Sequence, residues 1–162
     1  MLFIKSAPDG VEVKSFNRNS FSYIKLLKNA IESNLSLHLK GEIDESGMAV
    51  GCHLQDAVDG IRVKILPNPP AKYDILTNEL LEAKIEINGI PKVALSTFFP
   101  KGWNTKRVLE ESVAVVINPS YQIGTNFKLF KGLATDGVTI IEVRLDGTVT
   151  NPIFRTTYRK LN

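Results

Sequence analysis

The segment Asp136-Gly-Val-Thr-Ile-Ile-Glu-Val-Arg-Leu-Asp-Gly147 is a run of apolar and β-branched residues between two Asp-Gly pairs. Asp-Gly is a strong signal for a tight turn between antiparallel strands. The residues between the two pairs are typical of a strand. We therefore expect a meander of three antiparallel strands at about 127–132, 138–145 and 148–154.

Two amphipathic helices are predicted outside this meander. The first is capped by Asn19 or Ser20, and the second begins at Asn104 or Thr105 and stops at Asn118-Pro119. Their apolar faces recur at a spacing close to 3.6 residues per turn. These faces are Tyr23, Ile24, Leu27, Ile31 and Leu35 in the first helix, and Val108, Leu109, Ser112, Val113 and Val116 in the second.

Between the helices, the chain is divided into short segments by Gly41, Gly47, Gly51 and Gly60, and both histidines are expected in this glycine-broken region. Residues 61–65 and 81–87 alternate as half-buried strands do. Pro67-Asn-Pro-Pro70 ends the first of these strands because proline lacks the N–H that a ladder requires. The fold class predicted is α+β, with antiparallel sheets and a few amphipathic helices.

Composition limits the possible classes of protein. With 162 residues, 43% of them hydrophobic, the chain forms one packed domain or two small lobes sharing a cleft. No apolar run approaches the roughly 20 residues of a membrane span, and Met1-Leu-Phe-Ile-Lys is too short for a secretory signal. One cysteine excludes an internal disulfide and any cysteine-based zinc cluster. A net charge of +3 permits a polyanionic partner.

His38 and His53 are the only histidines in the chain. Histidine is the side chain whose ordinary pKa, about 6.5, lets it give or take a proton near neutral pH. Lys92 and Ser96 lie in the block Lys92-Val-Ala-Leu-Ser96 and can add a cation and a hydroxyl. This set of groups is suited to phosphodiester cleavage.

Four blocks resemble the EndoU family of endoribonucleases, and its bacterial branch most closely. They are His38-Leu-Lys-Gly-Glu-Ile, Ala49-Val-Gly-Cys-His53, Lys92-x-x-x-Ser96-Thr-Phe-Phe-Pro-Lys-Gly-Trp103, and Gly137-Val-Thr-Ile with Leu145-Asp-Gly-Thr-Val. The resemblance covers about 36–154. It implies a single domain over 1–162, with an N-terminal helical segment at 1–34 and a catalytic region of two antiparallel lobes around a cleft.

The resemblance also implies a chemistry. His53 would be the base that removes the proton of the RNA 2′-hydroxyl, and His38 the acid that protonates the departing 5′-oxygen. Lys92 would stabilise the charge on phosphorus, and Ser96 or Thr97 would contact the uracil or the phosphate. The products are a 2′,3′-cyclic phosphate and a 5′-hydroxyl. No metal is required, and manganese is not expected to be essential.

Bacterial members of this family are often the C-terminal toxin domains of large secreted or contact-dependent inhibition proteins. The resemblance therefore implies a toxin domain that is delivered to the cytoplasm of a neighbouring cell, acts on tRNA or other RNA, and is neutralised by a cognate immunity protein. No membrane binding by the domain itself is expected.

Many members of the family carry a tyrosine late in the final hairpin, where this chain reads Thr148-Val-Thr-Asn-Pro-Ile153. Some bacterial members carry a threonine there. Thr150 is the candidate for that role because its hydroxyl can donate to a phosphate oxygen, and Tyr158, a few residues beyond, is an alternative.

Three other functions compete for the same residues. A hydrolase could use Cys52 with a histidine; neighbours on a strand point to opposite faces, which argues against His53 as the partner and leaves His38. A zinc or manganese hydrolase could use the histidines with Glu42 and Asp44, but no His-Glu-x-x-His spacing is present. A relative that binds RNA or protein without turnover is the third.

Overall fold

Two helices and eleven short strands form the chain in the computed structural model, which describes residues 21–118, 121–122 and 128–161. Helix α1 is Phe21–Lys40 and helix α2 is Thr105–Ile117. A single 3-10 turn, Gln55–Ala57, lies between them. Among the described residues, no helix is long and apolar enough to cross a membrane.

The strands fall into a central and a C-terminal group. In the central group they are β1 Glu42–Ile43, β2 Ala49–Val50, β3 Val63–Leu66, β4 Lys72–Tyr73, β5 Leu80–Ile87, β6 Ile90–Pro91 and β7 Ser96–Thr97. In the C-terminal group they are β8 Tyr121–Gln122, β9 Leu129–Leu133, β10 Ile140–Gly147 and β11 Pro152–Arg159.

Strand β5 is the centre of the first sheet. It pairs antiparallel with β3 and β4 and with the two short strands β6 and β7, while β1 and β2 form a separate hairpin. The second sheet has the order β11-β10-β9-β8, with antiparallel pairing of β10 with β9 and of β9 with β8.

Contacts between residues divide the chain into two compact units. The first unit holds the described part of 1–34 together with Lys106–Thr157, and the second holds Leu35–Thr105 together with the end of the chain from Tyr158. The first therefore contains α1 up to Asn34, α2 from Lys106, and the β8–β11 sheet up to Thr157. The second contains the end of α1 from Leu35, the β5-centred sheet, and the last two residues of β11.

In the first unit, α2 lies close against the sheet. A Cβ added to Gly132 of β9 would be 3.1 Å from the side chain of Val115, so that side chain would have to shift by a few tenths of an ångström. Glu111 of α2 is buried and accepts the Thr135 backbone N–H at 3.0 Å and the Arg107 Nε at 2.8 Å. The Thr135 bond fixes the helix to the turn that follows β9, and the Arg107 bond lies within the helix.

In the second unit, the core is built on the inward face of β5. Alternate residues of this strand are buried because successive side chains of a strand point to opposite faces. The core consists of buried residues of β5 and of the segments around it: Ala49, Cys52, Val63, Leu80, Ala83, Ile85, Ile87 and Phe98.

The predicted fold class, α+β with antiparallel sheets, is confirmed. The five residues predicted for the inner face of α2 are all buried, as are Tyr23, Leu27, Ile31 and Leu35 of α1. Ile24, the fifth residue predicted for the α1 face, is only partly buried. The three strands of the meander are present at shifted bounds, and β11 continues to Arg159. Asn19, Ser20, Pro119 and Phe127 lie outside the described residues.

One placement was wrong. His38 lies in the last turn of α1 and not in the glycine-broken segment, because the helix continues through Lys40 before Gly41, at φ +88°, ends it. Glycine adopts this left-handed conformation without steric cost and is the usual residue after a helix.

Candidate functional site

The two histidines are brought together by backbone hydrogen bonds. His38 belongs to the end of α1, and His53 follows β2 in an irregular segment. The Cys52 N–H donates to the His38 carbonyl at 2.8 Å, and the His53 N–H donates to the Leu39 carbonyl at 2.9 Å. Because carbonyls in the last turn of a helix have no partner inside it, the second segment supplies the missing donors.

Gly51 permits this close approach. A Cβ on Gly51 would lie 2.0 Å from the His38 carbonyl oxygen, far inside contact distance, and its φ is +76°. Cys52 follows with a left-handed φ of 71°, which is uncommon for a residue with a side chain. The turn that presents His53 therefore depends on glycine for both its conformation and its space.

The imidazole rings of His38 and His53 face each other with centroids 4.9 Å apart and planes inclined by 42°. His53 Nδ1 lies 2.8 Å from the Thr97 carbonyl oxygen. Because a carbonyl can only accept, this contact places a proton on Nδ1, and in the neutral ring Nε2 then carries the lone pair. The His53 carbonyl also accepts the Phe99 N–H at 2.8 Å, so this residue is fixed to the segment around β7 at two points.

His53 is a neutral base near pH 7. It is 5% exposed, and burial holds its pKa well below the ordinary value of 6.5, with the nearby charges of His38 and Lys92 acting in the same direction. The bond to the Thr97 carbonyl opposes the shift without cancelling it. A base must be unprotonated to act, and this environment keeps His53 in that form.

Lys92 joins the same cluster. Its Nζ donates to the Gly51 carbonyl at 2.9 Å and to Ser96 Oγ at 2.7 Å. Burial lowers its pKa to about 8, with Lys84 contributing in the same direction and Cys52 opposing it. The ammonium is thus still charged at neutral pH. It is bonded to the carbonyl of Gly51, which precedes His53 by two residues in the chain.

Ser96 and Thr97 use their hydroxyls inside the protein. Ser96 is fully buried and, besides accepting from Lys92, donates to the Gly51 carbonyl at 3.0 Å. Thr97 Oγ1 donates to the Arg159 carbonyl at 2.5 Å. Both residues therefore hold the site in shape, and their direct contact with a substrate stays a prediction.

Tyr158 lies beside His53. Its ring centroid is 6.2 Å from that of His53, and the end of β11 is fixed to β7 by the Thr97 bond and by Arg159 Nη1, which donates to the Phe98 carbonyl at 3.3 Å. Thr150 lies in the other compact unit, exposed in the turn between β10 and β11, with its hydroxyl 3.4 Å from that of Thr148.

The residues of the competing functions have other surroundings. Cys52 is fully buried, and burial raises its pKa to about 11, so it is a thiol and not the nucleophilic thiolate at neutral pH. Asp44 accepts three hydrogen bonds within the β1–β2 turn, from the backbone and hydroxyl of Ser46 and from the Met48 N–H. In the described part of the chain, no three His, Cys, Asp or Glu side chains are grouped as metal ligands.

The sequence indicated both histidines and Lys92 but not the contacts that assemble them. The position of Tyr158 was missed because the final strand was ended at 154. A signal existed: Arg155-Thr-Thr-Tyr158 contains two threonines and a tyrosine, residue types that favour strands.

Comparison with known proteins gives one informative relative. The chain is 29% identical over 140 residues to a protein of Bacillus cereus named as a toxin, and the alignment covers 81% of this chain. The chain spans about a quarter of the length of that relative, 23%. No protein-family model matches the chain, so the resemblance to the EndoU family stays a prediction. No solved structure matches it.

Proposed function

We propose that this chain is the RNA-cleaving domain of a bacterial toxin and that it works without a metal ion. The observation that carries the proposal is the pair of facing imidazoles, 4.9 Å between centroids, of which one is held as a neutral base by burial and by its bond to the Thr97 carbonyl. Two histidines in such a pair can divide the transfer of protons to and from a phosphodiester.

In the proposed reaction, His53 Nε2 removes the proton of a ribose 2′-hydroxyl. The 2′-oxygen then bonds to the adjacent phosphorus, and the bond from phosphorus to the 5′-oxygen breaks. His38 gives its proton to that 5′-oxygen as it leaves. The products are a 2′,3′-cyclic phosphate and a 5′-hydroxyl, and each positioned proton transfer contributes roughly 10²- to 10⁴-fold to the rate.

Lys92 supplies the positive charge. Two of its N–H groups are held by Ser96 and Gly51, and the third would donate to a non-bridging phosphate oxygen as negative charge develops there. A preorganised donor of this kind is worth roughly 10²- to 10³-fold in rate. Ser96 thus acts on the reaction by positioning the ammonium.

Tyr158 is the better candidate for contact with a base. Its ring lies 6.2 Å from that of His53, centroid to centroid, within one compact unit, and an aromatic face stacks on a nucleotide base. We infer that Tyr158, not Thr150, occupies the role of the family's late tyrosine. A preference for uridine is consistent with this assignment and with the EndoU resemblance.

The toxin role rests on the Bacillus cereus relative, which is named as a toxin. Because this chain matches about a quarter of that relative, we propose that it is the effector part of a larger toxin, delivered to the cytoplasm of a target cell. A domain of this activity requires a cognate immunity protein in the cell that makes it. We expect that protein to be acidic and to cover the site, because the chain has a net charge of +3.

The test is cleavage of total bacterial RNA by the purified protein in EDTA, with the fragment ends mapped. The wild type is expected to give 2′,3′-cyclic phosphate ends, enriched after uridine, and His38→Ala and His53→Ala to give none. Lys92→Met should lose most activity, whereas the matched control Lys64→Met, an exposed lysine of β3, should retain it.

Intact RNA from the wild type, with and without manganese, would reject the nuclease. Tight RNA binding in the same samples would then favour a relative that binds without turnover. Cleavage that survives both histidine substitutions would reject the two-histidine mechanism alone.

A further inference from the structure

The C-terminal end of α1, two residues beyond His38, is held by an arginine from another part of the chain. Arg62 Nη2 donates to the Lys40 carbonyl at 2.6 Å, and Nη1 donates to the Gly41 carbonyl at 3.0 Å. The last carbonyls of a helix have no partner within it. The planar guanidinium supplies two donors in a fixed fork and places a positive charge at the negative end of the helix dipole.

The backbone of Arg62 is itself anchored. Asp59 Oδ1 accepts the N–H groups of Ile61, Arg62 and Val63 at 2.8, 2.8 and 3.0 Å. The Arg62 carbonyl accepts the Asn88 N–H at 2.8 Å. The guanidinium therefore extends from a segment that is bonded to the β5-centred sheet. Its two bonds fix the end of α1 relative to that sheet.

The last turn of α1 is also bonded to the segment that contains Cys52 and His53. The carbonyls of His38 and Leu39 accept the N–H groups of Cys52 and His53, while Arg62 takes the next two carbonyls. Four consecutive carbonyls, at residues 38–41, are thus bonded to two separate segments. The His38 carbonyl is among the four, so the constraint includes the residue that carries one of the two imidazoles.

We propose that Arg62 is a positioning residue for His38: its two bonds to the end of α1 hold the His38 imidazole against His53. The role in turnover rests on the proposed function, since it assumes that the two imidazoles act together on RNA. The geometric part does not depend on it. A lysine at this position could supply the positive charge but not two donors in a fixed geometry. An Arg62→Lys variant therefore separates the effect of the charge from the effect of the paired hydrogen bonds.

The histidines themselves report the geometry, because the chain contains only two. In a spectrum of the full chain with labelled imidazoles, the wild type should show a nuclear Overhauser contact between the two rings. Arg62→Met should lose it. In RNA cleavage, Arg62→Met should lower kcat by about 10²-fold, the effect of a displacement near 1 Å, with KM changed less than about threefold.

Two further variants complete the test. Arg62→Lys should keep part of the ring contact and fall about tenfold in kcat, because one donor at a time can reach the carbonyls. Arg107→Gln is the matched control: it breaks an arginine contact of the other unit, with Glu111, and should leave both the ring contact and the rate per folded molecule unchanged.

The outcomes separate the two proposals. An intact ring contact and an unchanged kcat in Arg62→Met would overturn the positioning role. If the wild type cleaves no RNA, the proposed function fails, and the ring contact alone decides whether Arg62 holds the pair. If Arg62→Met does not fold by circular dichroism, Arg62→Lys carries the test, and wild-type contact and rate in that variant would overturn the role of the fork.

Discussion

Replacing Gly51 with alanine tests the closest approach in the site. The new Cβ would meet the His38 carbonyl oxygen at 2.0 Å, and backbone on one side or the other must move. The left-handed φ of +76° adds strain of roughly 1–2 kcal/mol for a residue with a side chain. Moving the segments apart also weakens the bonds from Cys52 and His53 to the end of α1, at roughly 1 kcal/mol each.

Gly89→Ala is the matched control. Gly89 has a similar φ of +81° in the same compact unit, yet nothing lies within 4 Å of the Cβ that would be added. It therefore carries the conformational strain without the clash. The difference between the two variants, roughly 2 kcal/mol in the free energy of unfolding, isolates the clash and the lost bonds.

Thermal unfolding and RNA cleavage measure the two consequences. Gly51→Ala should unfold about 4–8 °C below Gly89→Ala, since 1 kcal/mol corresponds to roughly 2–4 °C in a protein of this size. Its kcat should fall about 10²-fold or more because the imidazole pair is displaced. Equal unfolding temperatures with near-equal activity would show that the two segments do not meet as described, and the argument for a backbone-assembled site would fail.

Three further outcomes are expected. Raising the pH through about 8 should remove the contribution of Lys92 to kcat/KM because its ammonium loses its proton, and Lys92→Arg should move that part of the loss to higher pH; a pH–rate profile measures both. The stability contribution of neutral His53 should be complete above its unfolded pKa of about 6.5 and be lost as the pH falls from there toward its depressed folded pKa, so melting temperatures of the wild type should drop on acidification more than those of His53→Gln. Tyr158→Ala should raise KM for RNA by about 10- to 100-fold through lost stacking, with Tyr158→Phe near wild type and Thr150→Val little changed; the reverse ranking would return the role to Thr150.

The elements with strong periodicity were the predictable part of the fold. The buried face of α2 and the alternation of β5 follow from spacing alone, since each element packs one face on a core. The end of α1 was not predictable in this way. In the sequence, the glycines that begin at Gly41 suggested that the helix ends near Leu35. Leu35 and Leu39 are both buried on its inner face, however, and the helix continues to Lys40.

The residue types of the site could be read from the sequence, but their arrangement could not. Nothing in the spacing from His38 to His53 specifies that one lies on a helix and the other on an irregular turn. Their meeting depends on long-range bonds, from Cys52 to the His38 carbonyl and from His53 to Thr97. Such contacts join positions far apart in the chain and leave no periodic trace. The roles of Gly51 and Arg62 were hidden for the same reason.

Burial of the site sets the pH range in which His53 and Lys92 have the charges that the proposed reaction needs. The same loss of solvent lowers the pKa of His53 and that of Lys92, because both are charged when protonated. For His53, the lowered pKa extends the range of the active base toward acid, since the ring stays unprotonated at a pH below 6.5. For Lys92, the lowered pKa sets an alkaline limit, since the ammonium loses its proton above about pH 8. Deeper burial would narrow this range from its alkaline end, and the bonds of Lys92 to Ser96 and Gly51 resist that by holding the charged form. A site buried to this degree keeps a neutral base and a charged lysine together across neutral pH, as the proposed two-histidine mechanism requires of His53 and Lys92.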